Sequence, residues 1–238
     1  PGYYHKDAAY HNGAVWPWLN GIAIQRMIEM GQVDLAWQLF ANTNEIALTR
    51  GVVGGLPENL DAYPHPGESA PRLTGTYLQG WSNAEQLRVW YQGFLGIQPD
   101  LERGVIRLAP RLPSAVGDVK FKSRIGAGVL HASYERFDRG RRYTWRLQGQ
   151  LARLDLDIVP FERHSFSAAA GDTLMVEQTT DSLIVHRVGV GGGEHERVTL
   201  APSPARRELQ ARFDAILAGT EFAKPGVAAA HPAMQQSR

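Results

Sequence analysis

The hydrophobic pattern of the chain changes its period close to residue 100, and this change limits the folds that the sequence can adopt. Before it, apolar residues recur at helical spacing over residues 15–30, 33–48 and 82–95, which places them on one face of a helix. A short glycine turn joins the first two segments and predicts an antiparallel helical hairpin. The third segment opens with Ser82 and Glu85, which have the spacing of a capping box.

After residue 96 the segments become short and alternate between apolar and polar residues, as strands with one buried face do. Leu154, Leu156 and Ile158 predict such a face, with Asp155 and Asp157 between them on the other side. The predicted strands cover residues 105–108, 119–122, 129–137, 142–147, 151–159, 173–178, 183–187 and 198–200. Strands of this length and spacing predict a β-sandwich, and an amphipathic helix follows over residues 205–217.

The sequence therefore predicts an α+β protein with three parts. A helical part spans residues 1–102, an antiparallel β-sandwich-like domain spans 103–202, and a short helix with a tail of disordered composition spans 203–238. The helical part holds five basic and ten acidic residues and five of the six tryptophans. This composition suits a sugar site, because indole rings stack on pyranose rings and carboxylates bind hydroxyls. The alternative is that the tryptophans are core residues, since Trp is highly buried on average.

The overall composition excludes several classes of protein. A net charge of +1 gives no indication of nucleic-acid or membrane-surface binding, and no apolar run approaches the ~18 residues of a membrane span. Without cysteine the chain has neither disulfides nor thiolate metal sites. We expect a cytoplasmic protein. Because the chain begins with Pro1 and shows no signal-peptide pattern, we also expect it to start inside a longer protein.

Three segments carry the residues best suited to chemistry. They read YHNGAVWPW at residues 10–18, GLPENLD at residues 55–61 and QGWSNAEQLR at residues 79–88. Each lies where a loop meets a helix, so we predict that all three line one rim. The Gly- and Pro-rich stretch 51–78 has no periodicity, and unstructured loops of this length are usually functional.

These segments resemble the C-terminal part of glycogen-debranching amylo-α-1,6-glucosidases and, more distantly, glucoamylases, over about residues 3–110. The resemblance implies the C-terminal part of an (α/α)₆ barrel whose loops form a sugar-binding funnel. Three helices cannot close a barrel of twelve, and the general acid of the family lies on an earlier helix. We therefore expect a fragment or a truncated reading frame that is inactive alone and self-associates through uncovered helix faces.

Enzymes of this family cleave glycosidic bonds with inversion, using a carboxylic acid and a carboxylate base about 6.5–9.5 Å apart. The resemblance implies that Glu58 is the general base, in a G-x-x-x-E-x-x-D-like loop. Asp61 would orient a sugar hydroxyl or brace Glu58. The loop departs from its relatives, which carry a Ser before the Glu and an aromatic residue two positions after it. The alternative for Glu58 is a solvated loop charge.

Candidate substrate-binding residues come from all three segments. At most one of Trp16 and Trp18 should face sugar, since positions two apart on a helix point in different directions. His11 binds a sugar hydroxyl in one interpretation and caps the helix that follows Ala14 in the other. The candidates are His11, Asn12, Trp16, Asp61, Tyr77 and Trp81.

The predicted function is hydrolysis of α-1,6 or α-1,4 glucosidic bonds in glycogen-like glucans or oligosaccharides. One alternative is a non-catalytic carbohydrate-binding or structural remnant of such an enzyme. Another is a different (α/α)₆ enzyme that cleaves trehalose-like disaccharides. No cofactor is expected, because two carboxylates suffice for the reaction. No metal is expected either, because His5, His11 and His65 lack metal-ligand spacing.

Overall fold

The computed structural model describes residues 10–149 and 152–219 of the 238-residue chain. His5 and the predicted disordered tail from residue 220 onward lie outside these ranges. The helices are α1 (Pro17–Glu29), α2 (Val33–Thr49), α3 (Gly80–Arg88), which continues as a π-helical segment (Val89–Phe94), and α4 (Pro204–Ala218). The strands are β1 (Ala14–Val15), β2 (Asn59–Asp61), β3 (Leu73–Thr74), β4 (Ile97–Asp100), β5 (Val105–Leu108), β6 (Val119–Ile125), β7 (Gly128–Phe137), β8 (Gly140–Gln148), β9 (Ala152–Leu156), β10 (His164–Ala168), β11 (Thr173–Thr179), β12 (Leu183–Val188) and β13 (Glu194–Leu200).

Helices α1 and α2 form the predicted hairpin, and α3 packs against α1. The turn of the hairpin contains Gly31 at φ 81°, a backbone conformation that favours glycine. The buried residues that hold the three helices together are Ile24, Ile28, Ala36, Phe40, Val89 and Phe94. The described helices ahead of the sandwich do not close a barrel, so the predicted (α/α)₆ architecture is not confirmed. The α+β class is confirmed.

The first helix begins two residues later than its apolar pattern predicts. Pro17 occupies its first turn, and Trp16 before it is extended, with φ −106° and ψ 109°. A residue that precedes proline is pushed away from helical backbone angles, while proline itself fits the first helical position. Val15 therefore lies in strand β1, where it pairs with Leu60 of β2.

The third helix begins two residues earlier than predicted, and its α-helical part ends at Arg88, where the π-helical segment follows. It begins at Gly80, and its N-cap residue Gln79 makes no side-chain cap hydrogen bond. Ser82 lies inside the first turn, where its hydroxyl donates to the Pro57 carbonyl at 2.9 Å. The predicted capping box is therefore wrong, because a buried contact with the preceding loop takes the serine hydroxyl.

Two sheets pack around a second core and form the sandwich. The six-stranded sheet has the order β13-β12-β11-β8-β7-β6 and is antiparallel throughout, and the four-stranded sheet has the order β10-β9-β5-β4. Strands β5 and β9 run parallel, so the sandwich is mixed rather than wholly antiparallel. Trp145, Tyr134 and Phe166 are among the fully buried residues of this core.

Trp90 and Leu112 pack against both cores and connect the helical part to the sandwich. Helix α4 packs beside the end of α1, where the Gln210 amide donates to the Met30 carbonyl at 3.3 Å. Among the described residues, no helix is long and apolar enough to span a membrane. The predicted boundaries at residues 102 and 202 stay predictions.

Candidate active site

A small antiparallel sheet brings the first two sequence segments together. Strand β1 follows the turn that contains His11, and β2 begins immediately after Glu58. In this sheet Asn59 of β2 pairs with Thr74 of β3. The sheet therefore places residues 10–15 and residues 58–61 side by side, although more than 40 positions separate them in the chain.

Glu58 is a buried carboxylate, only 6% exposed. Its Oε1 accepts a hydrogen bond from the Tyr10 hydroxyl, and its Oε2 accepts one from the Thr76 backbone N–H at 3.1 Å. Its own N–H donates to the Thr76 carbonyl at 2.7 Å. The interpretation of Glu58 as a solvated loop charge is therefore wrong.

Tyr10 was not among the candidates from the sequence, although it lies in the first segment. Its hydrogen bond to Glu58 raises the pKa of the Tyr10 phenol, and burial and the Glu58 charge act in the same direction. The phenol therefore stays protonated and donates to the carboxylate. Hydrogen bonds to the charged form of a carboxyl group favour that form.

Gly75, which directly follows β3, approaches the same carboxylate. Its backbone has φ 69°, and a Cβ placed there would lie 2.4 Å from Glu58 Oε2 and 2.8 Å from Asn59 Oδ1. Any side chain at this position would displace the carboxylate. The glycine thus allows β3 to lie directly against Glu58.

Two buried polar atoms next to Glu58 lack a hydrogen-bond partner among the described residues. They are Nδ2 of Asn59 and Oγ1 of Thr74, which belong to residues paired across β2 and β3. Such orphaned groups are costly and need an explanation. Each requires a hydrogen-bond partner such as a buried water molecule beside the carboxylate, and sequence reasoning did not single them out.

The third segment joins the site through the first turn of α3. Besides the Ser82 bond to Pro57, the Asn83 side-chain carbonyl accepts from the Leu56 N–H at 3.2 Å, and the Gln79 N–H donates to the Leu56 carbonyl at 2.8 Å. The residues just before Glu58 are thus fixed to α3. The structure therefore brings all three predicted segments together.

Two aromatic side chains near this junction are open to solvent. Trp81 is 48% exposed and Tyr77, which follows Thr76 directly, is 58% exposed. Most large aromatic residues are highly buried, so these two offer ring faces for stacking. The core interpretation of the helical part's tryptophans holds for Trp37 and Trp90, which pack against the helical core, and does not hold for Trp81.

His11 and Asn12 lie in an exposed turn. The His11 ring is stacked on Trp16, with centroids 5.9 Å apart and planes 6° apart, and the Trp16 indole N–H donates to the Tyr10 carbonyl at 2.9 Å. The N-cap of α1 is Trp16, without a side-chain cap. His11 therefore does not cap the helix, which was its alternative role.

Asp61 forms a contact of its own within the loop. Its Oδ2 lies 2.8 Å from Nε2 of His65, and its N–H donates to the Arg72 carbonyl at 3.0 Å. Its sugar-orienting role stays a prediction. Among the described residues, no group of three or more His, Asp and Glu side chains is arranged to hold a metal ion.

The site thus combines a fixed carboxylate at the meeting point of three loop–helix segments with two exposed aromatic rings on the same segments. The family model described as amylo-alpha-1,6-glucosidase matches residues 2–88, which include all three segments. Residues 2–88 are therefore similar to the C-terminal portion of the glycogen-debranching enzymes, as the motifs predict. No curated protein and no solved structure gives a significant match.

Proposed function

We propose that the protein takes part in hydrolysing α-1,6 or α-1,4 glucosidic bonds of glycogen-like glucans or oligosaccharides, with inversion and with Glu58 as general base. The supporting observation is the buried Glu58 carboxylate, which is held by the Tyr10 hydroxyl and the Thr76 N–H. These bonds fix both carboxylate oxygens. A base that must take a proton from one bound water needs such a fixed orientation.

In this mechanism the ionised Glu58 accepts a proton from a water molecule as that water attacks the anomeric carbon. An acid on the other side of the sugar ring protonates the leaving oxygen, and the configuration inverts. We assign no residue of this chain as the acid. Because acid–base assistance contributes about 10²–10⁴-fold to the rate, we expect the chain alone to release glucose slowly.

The remaining site residues bind the sugar in this proposal. Trp81 and Tyr77 stack on pyranose rings, and Asp61, His11 and Asn12 bind hydroxyls. Trp16 supports His11 by stacking on it. The exposed aromatic rings also favour a second candidate function, a carbohydrate-binding remnant without catalysis, because stacking requires no acid.

A substitution at Glu58 separates the two functions. Glu58→Gln keeps the size of the side chain but cannot accept the proton. In a preparation that releases glucose from maltodextrin, we expect kcat to fall by about 10²–10⁴-fold with KM nearly unchanged, as for an interaction made in the transition state. Glucose release is measured by steady-state kinetics.

Glu68→Gln is the matched control, because it makes the same change in the same loop at an exposed residue paired with Arg72. It should leave kcat unchanged. Full activity of Glu58→Gln would contradict the proposal. If Asp61→Asn abolishes activity while Glu58→Gln stays active, Asp61 is the base. Binding of maltodextrin without any glucose release would favour the carbohydrate-binding remnant.

A further inference from the structure

A second concave site lies apart from Glu58, between the helical part, the sandwich and helix α4. It is a cavity of about 710 Å³, within the size range of small-molecule sites. Its walls come from α1 (Gln25), the π-helical segment (Gly93), β5 (Arg107) and α4 (Arg206). No residue assigned to the candidate active site lines it.

Basic side chains dominate the charge of this cavity. Six arginines and three acidic residues line it, and because Arg88 is paired with Glu85 beside the cavity, the excess is two positive charges. The arginines are Arg26, Arg88, Arg107, Arg111, Arg163 and Arg206, and the acidic residues are Glu29, Asp157 and Glu162.

Four of these guanidinium groups surround one carboxylate. Asp157 Oδ2 accepts from Arg163 Nε at 3.0 Å and from Arg107, and Oδ1 accepts from Arg206. Arg111 lies 3.8 Å away and also donates to the Asp157 carbonyl at 3.0 Å. One negative charge cannot balance four positive charges, so this end of the cavity attracts an anion. Planar guanidinium groups match the oxygens of phosphate well.

Gln25 adds a hydrogen-bond acceptor to the same cavity. Its Nε2 donates to Glu29 Oε1 at 3.3 Å, which fixes the orientation of the amide. Its Oε1 is buried without a hydrogen-bond partner among the described residues. That oxygen faces Gly93, where a Cβ would lie 3.2 Å from it. It requires a donor such as a sugar hydroxyl, because the dianionic phosphate group of a phosphomonoester carries no hydroxyl of its own.

We propose that this cavity binds a phosphorylated sugar. The phosphate group contacts the guanidinium groups around Asp157, of which Arg163 is the most exposed. A sugar hydroxyl donates to Gln25 Oε1. The proposal does not depend on the function of Glu58.

Isothermal titration of the full chain at low salt tests this proposal with glucose 6-phosphate, inorganic phosphate and glucose. We expect glucose 6-phosphate to bind more tightly than phosphate. Arg163→Gln should lower the affinities for glucose 6-phosphate and for phosphate about 10-fold, which is the effect of losing one charge-assisted hydrogen bond. Arg153→Gln is the matched control, because Arg153 pairs with Asp155 and does not line the cavity. It should change neither affinity.

Gln25→Ala tests the hydroxyl contact without altering the arginines. It should weaken the binding of glucose 6-phosphate and leave the binding of inorganic phosphate unchanged. Glu58→Gln should change neither, which separates this site from the candidate active site. Three results would overturn the proposal: no binding of either anion, equal affinity for phosphate and glucose 6-phosphate, or unchanged binding in a folded Arg163→Gln variant.

Discussion

At the scale of single residues, burial distinguishes Glu58 from an ordinary loop glutamate. Most glutamates are exposed, and the Gly/Pro-rich loop around Glu58 gives no reason to expect a buried one. Its partner Tyr10 lies 48 positions earlier. The resemblance to the debranching enzymes indicates the residue, but only the pairing of β1 with β2 places it beside the tyrosine.

Trp81 gives a prediction at this scale. Its exposed ring is free to stack on sugar, so Trp81→Ala should weaken maltotetraose binding about 10-fold, since removing an aromatic contact costs roughly 1–2 kcal/mol. Stability should change little. Leu87→Ala is the control, because Leu87 is also exposed on α3. Isothermal titration measures both, and equal affinity in the two variants would exclude Trp81 from the sugar site.

At the scale of elements, the loop between α2 and α3 is ordered by β2 and β3. The absence of periodicity in residues 51–78 predicts no strands, because two strands of two and three residues are too short to show alternation. Their pairing gives Glu58 its burial. The same loop also prevents Ser82 from capping the helix, because the Ser82 hydroxyl donates a hydrogen bond to the Pro57 carbonyl instead.

Gly75→Ala tests how closely β3 lies against Glu58. The new methyl group would stand 2.4 Å from Glu58 Oε2 on a backbone at φ 69°. We expect a loss of about 1–2 kcal/mol in stability from the backbone alone, and a loss of glucose release larger than the stability change explains.

Gly67→Ala supplies the control for that variant. Gly67 has φ 84° and nothing within 4 Å of a Cβ, so it shares the backbone strain without the clash. Urea denaturation and glucose release are measured on both variants. Equal activity of the two would show that Gly75 does not position the carboxylate.

At the scale of the whole molecule, Asp157 connects the sandwich to α4. Its carboxyl group is 2% exposed. Burial alone would raise its pKa, but the hydrogen bonds from Arg206 and Arg107 outweigh burial and hold the pKa at about 2. The sequence pattern places Asp157 on the outward face with Asp155. That prediction is wrong, because the chain leaves β9 at Leu156 and turns toward α4.

The depressed pKa predicts how stability depends on pH. An unfolded aspartate titrates near 3.9, so ionised Asp157 stabilises the fold above about pH 4 and this stabilisation disappears as pH falls toward 2. The contribution is about 2 kcal/mol. Asp157→Asn should lower the free energy of unfolding at pH 7, and the difference from wild type should shrink toward pH 2.

Urea denaturation across this pH range checks the prediction. Asp155→Asn is the control, since Asp155 pairs with Arg153 and Ser165 nearer the surface and should have a smaller effect. A difference between wild type and Asp157→Asn that stays constant with pH would contradict the assignment.

Exposed apolar residues on the helices support the proposed self-association. They include Leu19 and Ile22 on α1, Leu48 on α2 and Leu87 on α3, and exposed apolar patches mark association surfaces. Sedimentation velocity should show a mass that rises with concentration, and Leu19→Glu with Ile22→Glu should reduce it. Leu101→Glu, at an exposed position beyond β4, should have no effect. A monomer at every concentration would contradict the proposal.

The sequence by itself determined the elements that repeat a local pattern. The helices α1 and α2 and the strands β7, β8 and β11 appear within about two residues of their predicted bounds, because an apolar period reflects one buried face of one element. The tertiary structure alone decided the parallel pairing of β5 with β9, the burial of Asp157 and the contact between Tyr10 and Glu58. These pairs lie about 50 positions apart, and no local period records which distant segment covers a given face.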